Sequence, residues 1–111
     1  MQFRFPPGFL WGAAISAYQC EGGNFNADWR VWEKEKNIQP CGQACGHYNL
    51  YKQDFELARA LNHNALRFSL EWSRIYPTAD NISYEAIKHY VSQAKVLRQL
   101  GIKPIVRLIG S

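Results

Sequence analysis

No block of like charge runs through this chain, and that absence narrows the field first. Thirteen Lys and Arg against nine Asp and Glu leave a formal net charge of +4 and a pI near 9.1. The basic residues are scattered singly, at Arg30, Lys52, Arg59, Lys88, Lys95 and Lys103 among others, with no run of three. A surface that holds nucleic acid concentrates its positive charge, so no nucleic-acid partner is expected. No stretch approaches the roughly 20 apolar residues of a membrane helix, so no membrane partner is expected either. The opening Met-Gln-Phe-Arg-Phe-Pro-Pro lacks the apolar segment of a secretory signal. Cysteine is also scarce: three residues are an odd number and too few for a disulfide framework. Cys41, Cys45 and His47 have a C-x3-C-x-H spacing with no fourth ligand nearby and no matching second half, so no metal and no other cofactor is expected. Reduced, structural thiols and a cytoplasmic setting are the expectations. Internal repeats and low-complexity segments are missing as well.

What is present is apolar and aromatic material in regular patterns. Hydrophobic residues make up 47% and aromatics 14% of the 111 residues, enough for a packed interior and too much for a disordered chain. Phe9 to Ala14 reads as a short buried strand, and residues 22 to 47, rich in Gly, Asn, Asp and Gln, as a long connecting loop. Within that loop "DWRVWEKE" (28 to 35) suits a helical turn carrying Trp29 and Trp32. From Tyr48 to Leu61, the residues Tyr51, Phe55, Ala58 and Leu61, with Leu57 beside them, recur at helical spacing until Asn62-His63-Asn64. "ALRFSLEW" (65 to 72) alternates Leu66, Phe68, Leu70 and Trp72 with polar Arg67, Ser69 and Glu71, a period-two strand. Pro77 and Asn81 mark a turn, and Ser83 suits a helix N-cap with Glu85 in the first turn. Ile87, Tyr90, Val91, Ala94, Leu97 and Leu100 give a helical face that Gly101 closes, and "KPIVRLI" (103 to 109) reads as another strand.

Strands alternating with helices predict parallel pairing through crossovers, an α/β class. Three parallel strands with one or two covering helices leave two long unpaired edges, whereas parallel sheets are normally covered on both faces. The predicted organisation is therefore the βαβαβ opening of a larger α/β barrel, with residues 1–111 as one partial barrel and no second domain. Open edges of this kind predict self-association.

The stretch "FLWGAAISAYQCEGG" carries a closer clue. Phe9, Trp11, Gly12, Ala14, Ser16, Ala17, Tyr18, Gln19, Glu21 and Gly23 all fit the N-terminal signature of glycoside hydrolase family 1, which the chain resembles. Its order of an aromatic, small residues, a second aromatic, Gln or Asn and then Glu is restrictive. "DWRVWEKE", "ACGHYNLYKQDFELARALNHNALRFSLEWSRIYP" and "AIKHYVSQAKVLRQLGIKPIV" resemble successive segments of the same family, covering nearly the whole chain. The resemblance implies a TIM barrel of which this is roughly the first quarter, a barrel larger than the typical ~250 residues. It implies retaining hydrolysis of β-glucosides or β-galactosides in carbohydrate metabolism, with a β-glycoside or oligosaccharide as substrate.

Retaining glycosidases need two carboxyl groups about 5 to 5.5 Å apart. The family's pair stands in Asn-Glu-Pro and Glu-Asn-Gly, and neither tripeptide occurs here. No catalytic residue is therefore assigned, and the chain by itself is expected to be inactive. Glu21 reads instead as a structural carboxylate near a barrel end and Glu71 as a solvent or ion-pair residue. By resemblance, Gln19 binds sugar hydroxyls, a task suited to a carboxamide that both donates and accepts. Arg67 by resemblance supports the nucleophile, keeping its carboxylate ionised and oriented. Trp29 and Trp32 are candidates for stacking on sugar rings, while Trp11, Trp72 and Tyr18 read as core.

Two departures stand out. Gly46 replaces the family's Asp before His47 and Tyr48, and the third strand ends "RLIGS", with Arg107 for Thr and with Ile109 and Gly110 for two histidines. Such an ending is expected of a truncated or frameshifted reading frame. The alternatives are a non-catalytic, degenerate family member and a small carbohydrate-binding protein using its Trp-rich loop.

Overall fold

The computed structural model describes residues 4–109. The expected Gly110 departure lies outside the described residues, as does the side chain of Ile109.

Three strands form one parallel sheet in the order β1-β2-β3: β1 (Gly12–Ala14), β2 (Ala65–Glu71) and β3 (Lys103–Ile109). Between them run α1 (Ala17–Cys20), α2 (Asp28–Glu35), α3 (His47–Ala60), α4 (Trp72–Ile75) and α5 (Tyr84–Gln99). Arg67 lies opposite Ala14 on one side and Ile105 on the other, and Ser69 lies opposite Arg107. Paired residues in register share a face, so Ala14, Arg67, Ile105, Ser69 and Arg107 belong to one side of the sheet. The other side carries Leu66, Phe68 and Leu70.

That second side holds the core. Phe55 and Ala58 of α3 and Leu97 of α5 pack with Ile102 onto Leu66 and Phe68. A smaller cluster joins Ile75, Ala86 and Tyr90 beneath Leu70. The two long helices thus cover the outer face, where their apolar stripes meet the alternating strand residues. Ser83 caps α5 as its sequence suggests, its Oγ accepting from Ala86 N at 3.2 Å. Gly101 ends that helix in the left-handed conformation, with φ +74°.

Several boundaries differ from the sequence reading. The first strand begins at Gly12, not Phe9. The preceding backbone is held by a side chain instead of a strand ladder: Asn64 Oδ1 accepts from Trp11 N at 2.6 Å, and Asn64 Nδ2 donates to Phe9 O at 3.0 Å. Trp11 is consequently not core. It is 46% exposed and meets Phe5 edge-on and Phe9 tilted, with ring centroids 4.5 and 4.8 Å away. The second strand stops at Glu71, and Trp72 opens α4, half-buried and stacked on Tyr76. Leu57, Leu61 and Val91, expected on inward stripes, are exposed. A three-stranded sheet is too narrow to cover the flanks of both helices.

Gly12 shows how closely β1 and β2 approach. A Cβ built there would stand 1.9 Å from Ala65 O, so any side chain at this point collides with backbone.

Candidate functional site

In parallel α/β barrels the chemistry sits where strands end and loops begin. At the C-terminal end of β1 the chain turns at once into α1, whose first N–H is satisfied by its neighbour strand: Ala17 N donates to Ser69 Oγ at 2.7 Å, a buried bond. This bond draws α1 over the inner face of β2. Two residues further on, Gln19 is exposed, its Oε1 accepting from Ser16 Oγ at 2.7 Å. Arg67, one layer below Ser69 on the same face, is exposed too. Ser69 thus links α1, which carries Gln19, to the face of β2 that carries Arg67. Arg107, opposite Ser69 on β3, adds a second exposed guanidinium to that face.

The aromatic candidates sit farther along. Trp29 and Trp32 lie on consecutive turns of α2, 58% and 42% exposed, with ring centroids 5.5 Å apart and planes at 83°. They line a shallow groove with Asp28. What fixes α2 beside α1 is a buried carboxylate: Glu33 Oε1 accepts from Tyr18 Oη at 2.8 Å, and its Oε2 accepts from Cys41 N at 3.3 Å. Tyr18 is therefore a half-buried hydrogen-bonding residue and not a core aromatic. Burial and the neighbouring Glu33 both push its phenol pKa up.

Beneath this layer lies a polar network that the sequence did not disclose. Glu21, 3% exposed, accepts from Arg74 Nε at 2.9 Å, from Asn24 Nδ2 at 3.3 Å and from Tyr90 Oη at 2.7 Å. Arg74 also donates to Gly22 O, and its guanidinium lies 3.8 Å from the Tyr48 ring centroid. Burial pushes the Glu21 carboxyl pKa up; the hydrogen bond from Tyr90 and the charge of Arg74 partly offset this. The Tyr90 phenol is pushed up by burial and then by the adjacent Glu21. The reading of Glu21 as a structural carboxylate near a barrel end fits this position.

Glu71 does not match its expected solvent or ion-pair role. It is buried, and its Oε1 accepts from Ser73 N at 3.3 Å and Ser73 Oγ at 2.9 Å, capping α4. Its backbone N donates to Tyr90 Oη at 3.1 Å, so one phenol bridges both glutamates. The only clue in the sequence was the Glu-x-Ser spacing, which suits an N-cap as readily as a strand. Among the described residues no group of three or more His, Cys, Asp and Glu is arranged to hold a metal ion.

Against known proteins, the sequence pattern of "Glycosyl hydrolase family 1" matches residues 1–109. The chain is 34% identical to beta-glucosidase A of Thermotoga maritima, over 95% of this chain and 26% of that protein. It is 36% identical to beta-glucosidase 25 of Oryza sativa subsp. japonica, over 94% of this chain and 23% of that one. Its fold superposes on a beta-glycosidase from Pyrococcus horikoshii with a TM-score of 0.91 and 38% identity, covering 97% of this chain and 26% of the other. The chain therefore spans about a quarter of the length of these relatives, and its three parallel strands are the opening of their TIM barrel. A signature that begins at Phe9, a βαβαβ order with both strand pairs parallel, and a match from end to end of the described fold agree: this chain belongs to glycosyl hydrolase family 1.

Proposed function

We propose that this chain supplies one wall of the sugar site of a retaining β-glycosidase and has no hydrolytic activity by itself. The observation that carries the reading is the bond from Ala17 N to Ser69 Oγ, which ties α1, with its exposed Gln19, to the face of β2 that carries the exposed Arg67. In this reading the Gln19 carboxamide exchanges hydrogen bonds with hydroxyls of a β-glucoside or β-galactoside, and Arg67 orients and ionises a nucleophilic carboxylate contributed by a later strand. Neither Asn-Glu-Pro nor Glu-Asn-Gly is present to supply the acid/base and the nucleophile. Glu21 and Glu71 are engaged in buried structural bonds and do not replace them.

Two measurements test this. The purified chain assayed with an aryl β-glucoside is expected to show no turnover above a Gln19→Ala control; retaining hydrolysis by the wild type would refute inactivity. In a chimera where residues 4–109 replace the matching quarter of a complete family member, Gln19→Ala is expected to lower kcat/KM by about tenfold to a hundredfold, the worth of one or two hydrogen bonds. An unchanged value would remove Gln19 from the site.

A second reading, a carbohydrate-binding role, is favoured by the exposed, mutually perpendicular rings of Trp29 and Trp32. Saturable quenching of tryptophan fluorescence by an oligosaccharide, lost in Trp29→Ala, would support it. A cytoplasmic setting and self-association through the open sheet edges complete the proposal. The first rests on three free thiols, the second on unpaired outer strands.

A further inference from the structure

The turn that carries Gln19 and Glu21 runs alongside the segment leading into α3. Tyr48 N donates to Glu21 O at 3.1 Å and Gly23 N donates to Gly42 O at 2.8 Å, so residues 21–23 and 42–48 pass each other in opposite directions. Between these two bonds the backbones touch: a Cβ on Gly22 would stand 2.1 Å from Gln43 O. Two cysteines flank this contact, Cys20 on the first segment and Cys45 on the second. Both line the same apolar cavity of about 330 Å³, together with Ala13, Ile15, His47 and Phe55. Burial pushes the Cys20 thiol pKa up, and the nearby Cys45 adds to that shift. The third thiol, Cys41, is set apart, its backbone N bonded to Glu33.

We infer that Cys20 and Cys45 form a reversible thiol–disulfide pair, closed by a low-molecular-weight disulfide and locking the Gln19–Glu21 turn to the start of α3. Cys45 is exposed and Cys20 half-buried, which orders the steps. The Cys45 thiolate attacks one sulfur of the small disulfide, breaking its S–S bond and expelling one small thiolate. The Cys20 thiolate then attacks the Cys45 sulfur of the mixed disulfide, forming the internal S–S bond and expelling the second small thiolate. The two protein thiols have lost two protons and two electrons, and the small disulfide has become two thiols. The new bond closes a loop over residues 21–44, which includes α2 with Trp29, Trp32 and Glu33. Loops of this size yield substantial stabilisation when cross-linked without strain.

The test uses the whole chain incubated with oxidised glutathione, then digested and analysed by mass spectrometry under non-reducing conditions. Free thiols are expected to fall from three to one, with Cys20 and Cys45 in one cross-linked peptide, Cys41 still reactive, and all three thiols recovered on adding dithiothreitol. Cys41→Ser should form the same cross-link. Three surviving thiols, a cross-link that includes Cys41, or Cys45 left as a stable mixed disulfide with glutathione would each overturn the inference. The mapping is made on the wild-type chain, so its outcome does not depend on a variant folding.

Discussion

Tyr90 Oη donates a 2.7 Å hydrogen bond to Glu21 Oε2, joining residues 69 positions apart in the chain. The same oxygen accepts from Glu71 N. One phenol on α5 therefore ties the turn after β1 to the end of β2, and the buried Glu21 with its partner Arg74 depends on that tie. Removing one member of a buried charged pair typically costs about 3–5 kcal/mol, because the other is left unpaired in a poor solvent. Arg74 retains 20% side-chain exposure and can recover some hydration. We expect Glu21→Ala to lose about 3 kcal/mol in urea unfolding and Glu21→Gln, which keeps an acceptor for Tyr90, clearly less. Equal losses would mean that the negative charge, not the hydrogen bonding, is what matters.

His89 gives a pH prediction. Its ring stacks on Tyr48 with centroids 3.8 Å apart, and burial lowers its pKa below the ordinary 6.5; a hydrogen bond to the Tyr48 backbone opposes this, and the charge of Arg74 reinforces it. The unfolded chain then takes up the proton first as pH falls, so stability is full above about pH 6.5 and declines below it. Glu21, whose pKa is raised, works in the opposite sense: its contribution is greatest below its ordinary 4.5 and fades as pH rises through the folded value. The two overlap between these limits, so the informative measurement is a difference. Unfolding free energy of His89→Phe minus wild type should rise as pH is lowered from 7 to 5. A flat difference would show that His89 titrates normally.

Ser69 and Arg67 should separate cleanly in a stability assay. Ser69→Ala leaves the buried Ala17 N without its acceptor, which should cost about 1–3 kcal/mol. Arg67→Ala removes an exposed side chain and should change stability by no more than about 0.5 kcal/mol. A large loss on Arg67→Ala would assign that arginine to the scaffold.

Gly12→Ala should be the most damaging methyl addition in the sheet. The added carbon meets Ala65 O at 1.9 Å, so β1 must retreat from β2. Overpacking costs 1–3 kcal/mol where neighbours yield, and a backbone carbonyl yields poorly, so about 3 kcal/mol is expected. The companion Ala13→Gly, on the outer face, provides the control.

The parts of this fold that were legible in the sequence are those governed by local period. The apolar spacing of Phe55 and Ala58, the alternation of Leu66 and Phe68 with Arg67, and the Ser83 cap all express themselves within one or two helical turns or a few strand residues. Glu21 was legible as structural only in outline. Its partners Arg74 and Tyr90 lie 53 and 69 residues away, and no local pattern announces such a pairing. Glu71 was misread because alternation places it with Arg67 and Ser69, while the chain folds back through α4 and covers it. Trp11 was misread for a different reason: an aromatic in an apolar stretch reads as core, yet it precedes the strand and among the described residues its ring meets Phe5 and Phe9. For the site, it was the resemblance to the family's motifs that brought Gln19 and Arg67 to notice. The Ser69 tether that relates them was invisible until β1 and β2 were paired.

Both hydrophobic clusters sit entirely between the sheet and the helices of this same segment. The segment carries only part of its outer packing with it, however: Leu57, Leu61, Val91, Val106 and Leu108 stay exposed beside that core, next to the unpaired edges of the sheet. Backbone hydrogen bonds are made by nearly every residue type. Exchange of residues 4–109 between family members would therefore be tolerated by the strand edges but decided by side chains: Leu57, Leu61, Val91, Val106 and Leu108 are where a new neighbour would have to match.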